Sequence, residues 1–316
     1  MILGFTILLF AGLCQGSFGL GYKKYHPFSW AAFWGIYCLL CIFVSAGVSI
    51  ISAPGVLFSV DIKCFAVPLL CGAAWGLSAI GFSKSIGMIG MSMVYGISMG
   101  VSTVVGSLLP MVIGGSLPEN RAALYFWAGL FLTLSGITVI TGAGVMRDKS
   151  FGASPVGILL ALFSGMGSGA MNVGFTYSEK LGPMISGSGY SAAAVAAFKW
   201  LPVLVGGCIT GMIWCAAELC VKRQWHTICE KGSLRRTAIL FGVSIIWYAA
   251  LLLYGLSVQM LGDIGNTVGW ILFNALALGV SVIWGIKTGE WPRGKRKILY
   301  AGCALLILSW VIISKV

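Results

Sequence analysis

The sequence predicts an all-α integral membrane protein of ten transmembrane helices, arranged as two inverted five-helix repeats. Three observations lead there. First, the 316 residues are 59% hydrophobic and 9% charged, whereas a water-soluble domain is roughly a quarter charged. Second, the apolar residues fall into runs long enough to cross a bilayer, which takes about 20 residues of helix. Third, the first half of the chain can be laid on the second.

The apolar runs cover residues 2–21, 29–51, 64–83, 87–113, 122–145, 154–178, 191–220, 236–258, 265–286 and 298–315. They consume nearly the whole chain, so recognition has to occur within or between helices. The first run, "MILGFTILLFAGLCQGSFGLGYKKY", carries its positive flank behind it and lacks the basic leader of a secretory signal. It reads as a retained helix. Connectors after odd-numbered runs hold fifteen Lys and Arg residues, Lys23, Lys24, Arg147 and Lys149 among them. Those after even-numbered runs, with the tail, hold four: Lys63, Arg121, Lys180 and Lys315. Positive connectors stay in the cytoplasm, so both termini are expected outside. The net charge of +12 lies in connectors rather than on one amphipathic face, which argues for orienting helices and against binding nucleic acid.

Ten cysteines are spread mostly over the apolar runs, with Cys38 and Cys41 one helical turn apart. His26 and His226 both fall in connectors. No ligand set converges, so the cysteines read as reduced, small packing residues, with no metal, cofactor or disulfide framework. No span holds a histidine, and no HExxH or paired-acid motif occurs, which excludes the usual intramembrane enzymes.

The repeat rests on two matches. "GFTILLFAGLCQGSFG" from Gly4 lies on "GILLALFSGMGSGAMN" from Gly157, pairing Gly12 with Gly165 and Gly16 with Gly169. "WGLSAIGFSKSIGMIG" from Trp75 lies on "WYAALLLYGLSVQMLG" from Trp247, pairing Phe82 with Tyr254 and Gly90 with Gly262. Residues 1–150 and 151–316 thus form two repeats of one transport unit. Five helices is an odd number, so the second copy enters the membrane from the opposite side, as in alternating-access carriers.

Lipid offers no hydrophobic force between helices, so small residues four apart, such as Gly165 and Gly169, allow close backbone approach. Mid-span amides need partners or a wet cavity. The expected substrate-binding set is Gln15, Trp75, Tyr95, Asn172, Lys199, Trp247, Asn266, Trp270 and Asn274. Amides bond sugar hydroxyls, and indole faces take the sugar's C–H side. Lys199 is an ionisable residue at depth and a functional candidate by default. Pro202 just after it suggests a broken helix, Glu218 is placed to pair with Lys222, and Glu179 and Asp263 fall near outer ends. A small polar solute is the expected partner, and an exporter of amphipathic compounds is the alternative.

The blocks "KKYHPFSWAAFW" (23–34), "GAAWG" (72–76), "GMSM" (90–93) and "FSGMGSGAMN" (163–172) resemble the L-rhamnose–proton symporter family of the drug/metabolite transporter superfamily. The resemblance runs almost end to end. It implies ten helices in two inverted repeats, both termini outside, and proton-coupled uptake of a deoxy-sugar across a bacterial inner membrane. The chain departs from the family pattern at Ala79, Gly81, Asn266 and Phe273, in the region expected to line the pocket. What carries over is therefore the carrier fold and a sugar-class substrate, rather than rhamnose in particular.

Overall fold

A computed structural model describes residues 1–22, 26–56, 60–148, 154–291 and 293–316. Lys23, Lys24, Lys149 and the expected repeat boundary at 150/151 lie outside the described residues. Among those described there is no strand, and ten helices are long and apolar enough to cross a membrane. They are α1 (Ile2–Ser17), α2 (Trp30–Ser52), α3 (Lys63–Ile89), α4 (Met91–Gly114), α5 (Asn120–Asp148), α6 (Pro155–Tyr177), α7 (Ala192–Val221), α8 (Ser233–Leu261), α9 (Asp263–Lys287) and α10 (Arg296–Ile313). A short helix, Leu181–Gly187, joins α6 to α7. The protein is a multi-pass membrane protein.

Helix ends follow local chemistry. Ser29, Ser154 and Ser191 cap α2, α6 and α7, each hydroxyl accepting from a backbone N–H three residues on, one of the donors a helix start leaves unpaired. The α3–α4 and α8–α9 breaks are each a single residue, Gly90 and Gly262, at φ 81° and 61°. A side chain is strained there. Gly90 also explains why α3 runs on to Ile89, past the expected end at 83. The first run ends as helix at Ser17 and continues as a 3₁₀ segment to Tyr22.

The expected break at Pro202 is absent: α7 is continuous and the most enclosed of the ten spans. Proline removes one backbone donor, but α7 crosses α3 at backbone distance on the next turn. A Cβ on Gly72 would overlap the Val203 carbonyl, and one on Gly206 the Leu69 carbonyl. That packing flanks the proline, and the helix continues through it.

Contact registers fix helix directions. Gly165 and Gly169 of α6 face Val101 and Val105 of α4, and Gly12 and Gly16 of α1 face Leu276 and Val280 of α9. Numbers rise together in both seams, so each pair is parallel. In α5 and α10 they run opposite: Gly129 faces Ile313, Gly136 faces Leu306, and Gly302 faces Ile140. The Ser309 hydroxyl donates to Gly129 O at 2.8 Å and lies against the Thr133 hydroxyl. Helices α5 and α10 thus form a flank, while α6 packs between α3 and α4, and α1 between α8 and α9.

Candidate substrate site

Proline also sets up the site. Pro110 in α4 has no N–H, so the carbonyl of Gly106, four residues earlier, lacks its helical donor. The Asn172 amide supplies one, Nδ2 donating to Gly106 O at 2.8 Å. On its other side Oδ1 accepts from the Tyr254 hydroxyl at 2.8 Å. Asn172 is 3% exposed. It is paired as a buried amide in hydrocarbon must be, and it ties α4, α6 and α8 together.

Two more expected residues join the same place from α9. The Trp270 indole N–H donates to Ser102 O at 3.1 Å, and its ring covers Gly106, where a Cβ would overlap it. Asn274 Nδ2 donates to the Thr103 hydroxyl at 3.4 Å, which itself donates to Met99 O at 2.8 Å. Along the α4–α6 seam below, Ser98 bonds Ser164 and Ser102 bonds Ser168, both at 3.1 Å. Side chains 66 residues apart thus pair on successive turns up to Gly106 and Asn172.

Aromatic rings wall this cluster. Tyr254 meets Trp270 edge-on at 5.4 Å and Phe273 at 5.0 Å. Phe175 stacks on Trp200 at 4.5 Å and touches Tyr254 at 5.6 Å. A second group descends two turns along α8: Trp75 stacks on Trp247 at 5.6 Å and 18°, then Tyr37, Trp34 and Trp30 follow along α2. The Trp200 indole N–H and Gln15 Oε1 are buried without a hydrogen-bond partner. Each such group costs free energy unless something bonds it.

Lys199 neither snorkels nor joins the amides. Its Nζ donates to Glu179 Oε2 at 3.0 Å and lies 4.2 Å over the Phe175 ring. Glu218 bonds Lys222 at 2.6 Å at the far end of α7, as its spacing predicts. Asn266 is exposed at the start of α9. Tyr95 is exposed near the start of α4, its ring edge-on to Phe82 at 5.1 Å. The structure therefore gathers Asn172, Trp270 and Asn274, stacks Trp75 on Trp247 nearby, and leaves Tyr95 and Asn266 apart. Sequence reasoning missed Tyr254, Phe175, Trp200 and Thr103. For Tyr254 a signal was present: it is the hydroxyl gained where the first repeat has Phe82.

The chain matches the family described as L-rhamnose-proton symport protein (RhaT) over residues 1–315. It is 23% identical to the L-rhamnose-proton symporters of Yersinia pestis (strain Pestoides F) and Yersinia pseudotuberculosis (serotype O:1b, strain IP 31758), over 98% of this chain and 96% of each relative. To that of Salmonella paratyphi B it is 24% identical, over 76% of this chain and 75% of the relative. With ten membrane-spanning helices and a match along nearly every residue, the chain belongs to the L-rhamnose-proton symport protein family.

Proposed function

We propose that this protein is a proton-coupled carrier of a deoxy-sugar, moving it into the cell by alternating access across a bacterial inner membrane. Membership of the symport family carries the reading, and the relatives' names favour a symporter over an exporter and over an enzyme. The chemistry of the site agrees. Asn172, Asn274, Thr103 and the Tyr254 hydroxyl offer donors and acceptors for sugar hydroxyls. Trp270, Phe273 and Trp200 offer faces for C–H edges and a deoxy methyl group. Both termini face outside, as the connector charges require.

The carrier works through two inverted repeats, residues 1–150 and 151–316. Supporting this, contacts recur at the sequence offsets of the repeat. Gly4 meets Leu261 as Gly157 meets Ile89, and the α1–α9 glycine seam matches the α6–α4 one with α9 shifted three residues on from that offset. The two matched tryptophans, Trp75 and Trp247, stack on each other, as residues beside a two-fold axis would. The halves rock on these glycine seams, and α5 and α10 brace the flank.

The test is uptake by purified protein in proteoliposomes across a panel of L-rhamnose, other deoxy-hexoses, unmodified hexoses and lipophilic cations. Accumulation of a deoxy-sugar that rises with an inward proton gradient is expected. A one-unit pH gradient supports up to about tenfold accumulation at one proton per sugar. Transport of the cations alone would replace this reading with an exporter.

A further inference from the structure

A proton symporter needs a titratable group that meets water on each side of the membrane in turn. We infer that Lys199 carries the coupling proton and that Glu179 is its relay to the outer solution. This inference rests on the symport reading above. Among the described residues Lys199 is the one charged side chain in the buried interior, 1% exposed. Its ammonium has one carboxylate partner, and that carboxylate is open: the Glu179 side chain is 62% exposed. A buried charge held by a single exposed partner is costly to keep as a purely structural device. The lysine also faces the substrate cluster. Its Nζ lies on the ring of Phe175, which touches Trp200 and Tyr254, and Tyr254 bonds Asn172. Lys199 therefore lies between the outer water and the amides.

Neighbouring elements offer no competing carrier. The outer half of α2, from Ser45, holds no titratable residue. α3 brings Lys63, which is exposed, and the thiols Cys64 and Cys71, and Asp61 ahead of it accepts from the Lys63 backbone N–H. α8 brings the Tyr254 hydroxyl, already donating to Asn172. The α6–α7 connection brings Tyr177, Glu179 and Lys180, and Tyr190 donates to Pro54 O. The proton path then balances simply. A proton from outside adds to the Glu179 carboxylate and passes to the Lys199 amine, giving the ammonium–carboxylate pair seen here. After the carrier turns inward, the ammonium N–H bond breaks, the proton leaves to water on the inner side, and the neutral amine returns.

Lys199→Gln and Glu179→Gln proteoliposomes separate the possibilities, with sugar counterflow, proton uptake on sugar addition and gradient-driven accumulation measured on each. Lys199→Gln removes the buried charge and leaves an exposed carboxylate, so assembly is expected to survive. Glu179→Gln leaves the buried ammonium an amide oxygen in place of its carboxylate, so a lower stability is expected there. Thermal unfolding of each checks it. Lys199→Gln is expected to lose proton uptake and accumulation, up to about tenfold under a one-unit gradient, while counterflow stays within about twofold. Glu179→Gln is expected to keep coupling but slow uptake more as the outer pH rises. Coupled accumulation by Lys199→Gln at the native level overturns the inference, and so does loss of counterflow along with accumulation in a folded variant. If the unsubstituted protein moves sugar without protons, the symport reading itself fails, which is a different result.

Discussion

Two edge-on aromatic pairs occupy matching places in the two halves. Phe82 of α3 meets Tyr95 of α4 at 5.1 Å and 83°, and Tyr254 of α8 meets Trp270 of α9 at 5.4 Å and 76°. Phe82 and Tyr254 are paired by the sequence repeat, and Tyr95 and Trp270 share the register that sets Val101 against Leu276. Their surroundings differ. Tyr95 is exposed, while Trp270 and Tyr254 are buried and bonded to Ser102 O and Asn172. The position matching Asn172 is Gly19, in the 3₁₀ segment that follows α1. Under the repeat proposed above, the bonded amide cluster falls in one half, while the α1–α9 and α4–α6 glycine seams match each other.

Breaking the equal part should cost most. Gly165→Leu drives a side chain into Val101 and the Ser98 carbonyl, and Gly12→Leu drives one into Leu276. Overpacking of this kind costs about 1–3 kcal/mol or more, and a seam wedged open cannot change its crossing angle. Both variants should insert into the membrane yet lose sugar transport. Normal counterflow by either, with membrane insertion confirmed by tryptic mapping of the connectors, would remove that seam from the moving part.

The unequal part should fail next, and by a different route. Asn172→Ala leaves the Gly106 carbonyl without a donor and the Tyr254 hydroxyl without its acceptor. A buried group left unbonded costs about 1–3 kcal/mol. Thermal unfolding in detergent should shift down accordingly, and stabilisation by bound deoxy-sugar should vanish. A variant as stable as the parent and still stabilised by sugar would take Asn172 out of both roles.

Much of this fold was legible because a bilayer imposes strong rules. Span number followed from run length, and the glycine pairs found their seams because backbone approach in lipid demands small residues. The Glu218–Lys222 pair followed from helical spacing. The site was read less completely. Asn172, Trp270 and Asn274 were visible as polar groups at depth, but Asn172's partner is a backbone carbonyl freed by Pro110 on another helix. No pattern local to α6 reveals that. Lys199 and Glu179 each stand out singly in the sequence, and their pairing depends on the turn through Ser178–Lys180 and the short helix after it. Asn266 and Tyr95 look like polar groups in or at the edge of spans, yet Asn266 falls at the exposed start of α9 and Tyr95 near the start of α4, away from the amides. Facing direction is a tertiary property, and ten helices with apolar residues all round leave little amphipathic signal to read it from.

A smaller change sharpens the comparison between the aromatic pairs. Tyr254→Phe removes one buried hydroxyl and keeps the ring, so it makes the second pair resemble the first. Hydrogen bonds between membrane helices average about 0.6 kcal/mol, so stability should fall by about that much, while sugar affinity falls more if the hydroxyl also meets substrate. The reverse change, Phe82→Tyr, should leave both nearly unchanged, since its partner Tyr95 is exposed and stands apart from the amide cluster. Equal losses from the two substitutions would mean the halves share the substrate load.

The smallest effect belongs to the counterpart of Asn172. A Cβ added at Gly19 meets nothing within 4 Å, so Gly19→Asn has room for an amide where the repeat would put one. No carbonyl stripped of its donor waits there: position 281, at the register of Gly106, is Ser281, and the residue four on is Gly285, whose N–H is intact, where α4 has Pro110. Stability and uptake should both stay within about 0.5 kcal/mol of the parent. A gain in sugar binding from this single change would show that the first half retains a dormant copy of the site. No change would show that Asn172 needs the proline-freed carbonyl opposite it, so that the asymmetry lies in Pro110 as much as in the amide.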